Sequence, residues 1–339
     1  MGSKYRIGHL VYELTEACNQ NCRFCYNHWR PEGARPADRK LAARTLRRIL
    51  SQAEVGSISF SGGEPTLLPN IHDLALKCGF AGCRVNVLTN GSRLDDAAIT
   101  NFKSLGISAL QISFLSADPA VHDYLTGVPG SWDKAVSAID RAIRILGADH
   151  LAIVLIITAL NAGTVAATLE FLKQRGVLHF MVNRFNIGGN GIVNRDELSL
   201  SDEALRAAFK AVSKFAVSNR QMRFTSGVCT PFCILNPAEF PGIIFTSCST
   251  DLQQRPVTIA ADGNVRFCNH SPFIMGSIYE RSIREILEDE TLQARYNVAE
   301  PPARCSGCKL FSRCKGGCRA ASEQVFGTFS EVDPILSSQ

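Results

Sequence analysis

The sequence predicts an α/β protein: a parallel sheet with helical crossovers, followed by a smaller cysteine-rich domain. Three observations lead there. Apolar runs at 9–15, 57–61, 84–89, 109–115, 151–159 and 179–187 alternate with amphipathic segments, giving six strand–helix units. Parallel neighbours require crossover connections, which those helices supply. The run 151–157, Leu-Ala-Ile-Val-Leu-Ile-Ile, has no polar alternation, as expected of a strand covered on both faces. Composition then shifts: eight of the thirteen cysteines lie from Cys229 onward, among turn-rich segments. The domains are placed at 1–219 and 220–339. Periodicity alone does not separate an open sheet from a barrel.

The first strand, His9 to Thr15, leads into Cys18-Asn19-Gln20-Asn21-Cys22-Arg23-Phe24-Cys25-Tyr26. The basic stretch from Arg30 to Arg48 reads as a solvated helix face. The second strand, Ser57 to Phe60, precedes Ser61-Gly62-Gly63-Glu64-Pro65. The third ends at Thr89-Asn90-Gly91, and the fourth carries Ser113. From Ser131 to Gly147, Trp132, Ala135, Val136, Ile139, Ala142, Ile143 and Leu146 recur at helical spacing, with Ser131 as N-cap and Gly147 as stop. Gly176 ends the next helix. The sixth strand carries Arg184 and Asn186 before a glycine-rich turn. A helix is expected over 195–219, capped by Ser201 with Asp202 and Glu203 in its first turn. Val257 to Ile259 and Val265 to Phe267 flank Asp262-Gly263 and read as a hairpin.

A net charge of +5 over 339 residues gives no argument for nucleic acid. The longest apolar run, Leu151 to Leu160, is too short to span a bilayer. An odd count of thirteen cysteines with no signal peptide points to metal binding in the cytoplasm rather than to disulfides. Cys78 and Cys83 read as buried structural thiols, and no histidine is read as catalytic.

The CxxxCxxC spacing of Cys18, Cys22 and Cys25 wraps three thiolates around one face of a cubane iron–sulfur cluster. Four irons need four ligands, so one iron stays open to chemistry. The alternative is a closed zinc site with His28 as fourth ligand. Gly62 and Gly63 let backbone approach a ligand closely, and the Glu64 carboxylate accepts from an ammonium group. Together these motifs resemble the radical S-adenosylmethionine superfamily. The resemblance implies a partial (β/α)6 barrel with its site at the carboxyl ends of the strands. It implies that the open iron of a [4Fe-4S] cluster chelates S-adenosylmethionine, and that one electron then releases methionine and a 5′-deoxyadenosyl radical. It places Gly62, Gly63 and Glu64 at the methionine end, Tyr26 beside the adenine, and Asn90 and Ser113 at ribose or carboxylate. Arg184 is expected to face cofactor or substrate.

The C-terminal run Cys305, Cys308, Cys314, Cys318 has the spacing CxxCx5CxxxC, preceded by Cys229, Cys233, Cys248 and Cys268. It resembles the SPASM extension, which binds one or two auxiliary iron–sulfur clusters; zinc ribbons are the alternative. The resemblance gives Cys248, Cys268 and Cys318 to the first cluster, with Cys233 as fourth ligand. It gives Cys305, Cys308 and Cys314 to the second. One departure stands out: the family pattern has a cysteine after an Asp-Pro near the end, whereas this chain has Asp333-Pro334-Ile335-Leu336. Cys229 or Asp333 is expected to replace that ligand, unless an iron stays open or the cluster is absent. Cys229 has a second, catalytic reading, as a hydrogen donor to a substrate radical.

The implied activity is hydrogen abstraction from a substrate carbon, in a peptide or protein (cross-link, epimerisation or oxidation). A small-molecule or haem-pathway oxidoreductase is the alternative, and a non-catalytic iron–sulfur scaffold or electron carrier the third reading. The implied electron donor is of flavodoxin or ferredoxin type. The first motif begins at residue 18, so no peptide-recognition domain is expected ahead of it, which weakens the leader-peptide reading.

Overall fold

The computed structural model describes residues 4–30, 34–297 and 300–336. Eight parallel strands lie side by side in chain order: β1 (Tyr5–Thr15), β2 (Ala53–Gly62), β3 (Arg84–Thr89), β4 (Ala109–Ser113), β5 (Leu151–Ile157), β6 (His179–Arg184), β7 (Arg223–Ser226) and β8 (Ile243–Phe245). The crossover helices are α1 (Arg39–Gln52), α2 (Ile71–Phe80), α3 (Asp96–Ser104), α4 (Pro119–Thr126), α5 (Ser131–Leu146) and α6 (Val165–Lys173). Short α7 (Asn190–Val193) and α8 (Arg195–Leu198) then precede α9 (Asp202–Ser218). The helix expected over 195–219 is therefore broken at 199–201, where Ser201 accepts from Ala204 N–H and caps α9.

On the other side of β1 the sheet continues. β9 (Val257–Ala260) pairs parallel to β1, and β10 (Asn264–Arg266) and β11 (Ile274–Ser277) follow antiparallel. The predicted hairpin is thus docked on the first strand. All eleven strands form one open sheet running from β11 to β8, a partial barrel whose strands continue past residue 219. The remaining helices, α10 (Ile283–Leu287), α11 (Glu290–Tyr296), α12 (Phe311–Cys314) and α13 (Arg319–Phe326), belong to the C-terminal region. No described helix is long and apolar enough to cross a membrane.

The two faces of the sheet differ. Val87, Leu110, Ile112, Ile153 and Val182 are buried in one core with helix residues such as Ile139 and Leu169. The intervening Leu88, Gln111, Ser113, Val154 and Met181 are only half-buried, and they align across the register. The unalternating run in β5 therefore does not mean two packed faces. Its second face, with Ala152, Val154 and Ile156, is only half-buried.

One detail corrects the expected caps. Gly130, not Ser131, is the N-cap of α5, and Asp123 of α4 does the capping by accepting from Gly130 N–H (2.5 Å), Trp132 N–H (2.8 Å) and the Ser131 hydroxyl (2.8 Å). Gly147 does stop the helix, as expected.

The hairpin is fastened to β1 by a buried ion pair between Arg266 and Glu13, both 3% exposed at the side chain. Burial pushes the Glu13 carboxyl up, and the Arg266 guanidinium opposes it. Arg266 also donates to Ser271 O (2.9 Å). Glu13→Gln leaves that guanidinium without its counter-ion. We expect a loss of about 3–5 kcal/mol, the usual effect of breaking a buried pair from one side, read as a lower thermal midpoint. An unchanged midpoint would mean that the hairpin is held by its strand pairing alone.

Candidate functional site

The cysteine loop follows β1 and is held by backbone. Asn21 N–H donates to Thr126 O (3.1 Å) and Arg23 N–H to Leu125 O (2.9 Å), both on α4. From beyond β6, Asn190 Nδ2 donates to Cys22 O (3.1 Å) and Asn194 Nδ2 to Arg23 O (3.2 Å). Cys18, Cys22 and Cys25 are half-buried and brought together. Burial pushes all three thiols up, and Cys22 is raised further by the charges of Cys25 and Cys18. His28 points elsewhere: its Nδ1 lies 3.2 Å from Arg266 Nη1, and burial together with that cation lowers its pKa to about 4. The zinc alternative therefore does not find its fourth ligand in His28.

Beside this loop, Gly63 N–H donates to Thr15 O (2.7 Å) and Glu64 N–H to Ala17 O (2.8 Å). Gly62 has φ +121°, and a Cβ on Gly63 would overlap the carbonyl oxygen of Ala17. The glycine pair thus lets the end of β2 press against the residues that precede Cys18. Asn27 Nδ2 closes the loop onto Gly62 O (3.0 Å). Glu64 is 1% exposed. Its Oε1 accepts from Thr66 N–H (3.1 Å), the Thr66 hydroxyl (2.5 Å) and the Thr89 hydroxyl (2.7 Å), and its Oε2 from Asn90 N–H (2.7 Å). A carboxylate has about four acceptor sites, so most of this one is committed to the protein. Asn90 Nδ2 in turn donates to Asn19 Oδ1 (2.9 Å) in the cysteine loop. Gly62, Gly63, Glu64, Asn90 and the three cysteines form one hydrogen-bonded assembly. Ser113 stands at the end of β4 on the open face, with no protein partner for its hydroxyl among the described residues.

Tyr26 also lies at this loop, but His270 covers one face of its ring, with centroids 3.7 Å apart and planes 10° from parallel. Burial and the nearby Arg184 and Arg266 cations lower the His270 pKa to about 3, so the ring is neutral. Its Nδ1 is 2.7 Å from Asn186 Nδ2, which also lies 3.3 Å from Cys318 Sγ.

Arg184 is 1% exposed and pairs with Asp333. It donates to the Thr230 hydroxyl (3.1 Å), Phe185 O (3.0 Å) and Cys229 O (3.0 Å). The sixth strand delivers it into the junction with the C-terminal tail.

The eight C-terminal cysteines fall into two quartets. Cys229 and Cys248 adjoin, and their interaction holds Cys248 below the ordinary thiol range and Cys229 above it. Cys318 adjoins Cys268 and Cys248, and burial pushes its thiol up to about 12. In the other quartet, burial raises Cys305, with Cys314, Cys233 and Cys308 adding to it. The expected places of Cys229 and Cys233 are exchanged. The cause is a turn at Pro231, where Ile234 and Leu235 N–H both donate to Pro231 O (2.9 and 3.0 Å), separating the two thiols. Phe232 N–H points at Cys314 Sγ (3.3 Å) within the same turn. Asp333 is not available as a ligand to the second quartet, because Arg184 and Cys318 N–H (2.7 Å) occupy its carboxylate.

Comparison with known proteins bears on this geometry. The radical SAM superfamily profile matches residues 12–172, and the SPASM iron–sulfur cluster-binding domain profile matches 248–314. The chain belongs to the radical SAM superfamily, SPASM subgroup. Curated relatives include an AdoMet-dependent heme synthase of Methanosarcina barkeri, 26% identical over 96% of this chain and 95% of the relative. A PqqA peptide cyclase of Xanthomonas campestris is 27% identical over 96% of this chain and 85% of the relative. The fold matches anSMEcpe with bound AdoMet and Cp18Cys peptide at TM-score 0.73, with 17% identity over 98% of this chain and 94% of that one. It matches Streptococcus suis SuiB bound to precursor peptide SuiA at TM-score 0.74, with 16% identity over 96% and 74%.

Membership in this enzyme superfamily implies [4Fe-4S] clusters and S-adenosylmethionine. The residues present fit such a cluster. Arg30 opposes the raised pKa of all three loop thiols, and its buried Nε has no partner among the described residues. An anionic cluster would supply one. His270 went unread in the sequence, although it follows Cys268 closely, while Arg30 was read only as part of a solvated basic face and Asn186 only as a polar residue on the sixth strand. Glu64→Gln replaces an acceptor-only group with an amide whose NH2 faces donors. We expect a loss of about 1.5–3 kcal/mol, typical of hydrogen bonds to a charged group, measured as a lower melting temperature of reconstituted protein. A weaker hold on Asn90 should accompany it; a thermally unchanged variant would mean that the four donors find water instead.

Proposed function

We propose that this radical SAM enzyme is a peptide maturase that abstracts hydrogen from a carbon of its substrate. The observation that carries the reading is the three-thiol loop hydrogen-bonded to the Gly62–Glu64 segment at the rim of an open, apolar sheet face. A cluster held by Cys18, Cys22 and Cys25 would supply the electron that cleaves S-adenosylmethionine to a 5′-deoxyadenosyl radical. The protein's own part is placement. Gly62, Gly63, Glu64 and Asn90 fix the loop, the Ser113 hydroxyl is free to bind a polar ligand group, and Val154 and Met181 keep water from a reactive centre. Tyr26, stacked on His270 at the end of the cysteine loop, is the aromatic ring placed to adjoin an adenine.

The peptide class is supported by relatives named as peptide cyclases that align along nearly the whole chain. A tetrapyrrole substrate is the second reading, favoured by the heme synthase relative, which matches over 95% of its own length. We further infer that Cys229, Cys248, Cys268 and Cys318 hold one auxiliary cluster, and that Cys233, Cys305, Cys308 and Cys314 hold the other. The regions 1–219 and 220–339 would be the corresponding domains, with β7 and β8 extending the barrel sheet past that boundary. A flavodoxin- or ferredoxin-type donor and a cytoplasmic location fit an enzyme with thirteen free cysteines.

The first test removes Cys18, Cys22 and Cys25 together. We expect about four fewer irons per chain and no 5′-deoxyadenosine from reduced protein. Continued production of that product would sink the assignment. Anaerobic turnover with candidate peptides and porphyrins, read by mass spectrometry, separates the two substrate readings.

A second test addresses the exchanged cysteines. Cys229→Ala should disturb the Mössbauer signal of one auxiliary cluster and Cys233→Ala that of the other. If both variants altered the same cluster, the two quartets would be wrongly drawn.

A further inference from the structure

Arg319 is the first residue of α13 and directly follows Cys318. It is 0% exposed, among the largest fully buried side chains of the molecule. Its Nε, Nη1 and Nη2 all lack a hydrogen-bond partner among the described residues. A guanidinium carries five N–H donors and does not deprotonate in proteins, so such burial costs several kcal/mol unless an anion compensates it.

Its surroundings show where an anion belongs. The Arg319 guanidinium lies near enough to Cys248 of one quartet and Cys305 of the other to feel both. A Cβ placed on Gly316 would sit 3.2 Å from Arg319 Nη1 and 3.8 Å from Cys305 Sγ, a thiol of the other quartet. The side chain therefore lies between the two groups of four cysteines. The carboxylates of Asp333 and Glu331 are near enough to be felt but make no hydrogen bond to it, and Asp333 is held by Arg184 and Cys318 N–H. The Phe329 ring, 5.7 Å from the guanidinium carbon, gives only a weak cation–π contact.

We propose that Arg319 is a shared counter-ion for the two auxiliary clusters, with its unpartnered donors aimed at their sulfur atoms and its charge raising both reduction potentials. This rests on the auxiliary-cluster reading above. Cluster potentials follow net charge and hydrogen bonds to sulfur, and one cation between two anionic clusters acts on both. Arg319 touches no substrate in this account. It is a positioning residue for the clusters.

The test uses full-length reconstituted protein carrying Cys18→Ala, Cys22→Ala and Cys25→Ala, so that only auxiliary clusters report. Iron content and EPR-monitored midpoints are compared for Arg319, Arg319→Gln and Arg319→Lys. Loss of the charge in Arg319→Gln should lower the reduction equilibrium constant of both clusters at least tenfold, which is about 59 mV for one electron. Arg319→Lys keeps a charge on a flexible stem and should shift both by less. Full iron with unshifted midpoints in Arg319→Gln would overturn the proposal while leaving the clusters themselves in place. If Arg319→Gln does not load, loading of Arg319→Lys supports the charge role, and equal failure of both variants overturns it. Parent protein without auxiliary iron, its quartet thiols all open to alkylation, would instead overturn the auxiliary-cluster reading on which the proposal stands.

Discussion

The buried ion pair between Arg184 and Asp333 is the constraint on which the C-terminal half depends. Both side chains are 1% exposed. Arg184 comes from the end of β6 and Asp333 from the tail, so the pair fastens the last described segment to the barrel. It also sets the cysteines. Arg184 holds Cys229 O, and Asp333 accepts from Cys318 N–H. Two thiols of one quartet are thereby placed from opposite directions by a single pair of charges. Gly317 makes room for it: at φ +90°, a Cβ there would lie 2.6 Å from Asp333 Oδ2 and 2.7 Å from the Pro231 ring. Burial pushes the Asp333 carboxyl up, and the Arg184 guanidinium opposes that shift. Removing either partner would leave a buried charge alone, which is the costly way to break such a pair.

Glu64 plays the corresponding part on the barrel side. Each carboxylate is buried, Glu64 just beyond β2 and Asp333 in the tail, and each accepts a backbone N–H from a segment that must be held still, Asn90 in one case and Cys318 in the other. Between the two assemblies run Tyr26, His270 and Asn186. The Tyr26 ring stacks on His270, Asn186 donates to the neutral imidazole, and the same amide reaches Cys318 Sγ. The loop of Cys18, Cys22 and Cys25 is thus in packed contact with the first quartet, through side chains that a change in either would disturb. Low His270 basicity matters here, since a protonated ring could not accept from Asn186.

Much of this was legible in the sequence. The spacing of the first three cysteines, the glycine pair and the cysteine run after 305 are local patterns, and local patterns survive folding. The six strands were readable because apolar runs alternate with amphipathic helices. What sequence did not carry is direction. Arg184 was expected to face cofactor or substrate because polar residues at strand ends often line the site, and nothing in the sequence announced its buried pairing with Asp333 in the tail. Cys229 and Cys233 differ by four positions, and only the turn at Pro231 decides which group each joins. The apolar run of β5 was read as packed on two faces, although alternate residues are only half-buried, because hydrophobicity alone does not report burial.

The missing tail cysteine is accounted for by the same geometry. With Cys233 beside Cys305, Cys308 and Cys314, the second quartet is complete without any thiol after Cys318. With Cys229 beside Cys248, Cys268 and Cys318, so is the first. The Asp333-Pro334 step then has no ligand to deliver. Its aspartate instead neutralises Arg184 and orients Cys318, and Leu336, 2% exposed, packs into the core where the pattern of the family has a thiol. The turn at Pro231 places Cys233, four residues beyond Cys229, at the second quartet. A tail without a thiol is therefore free to serve as a buried strap, fixed by charge and by packing.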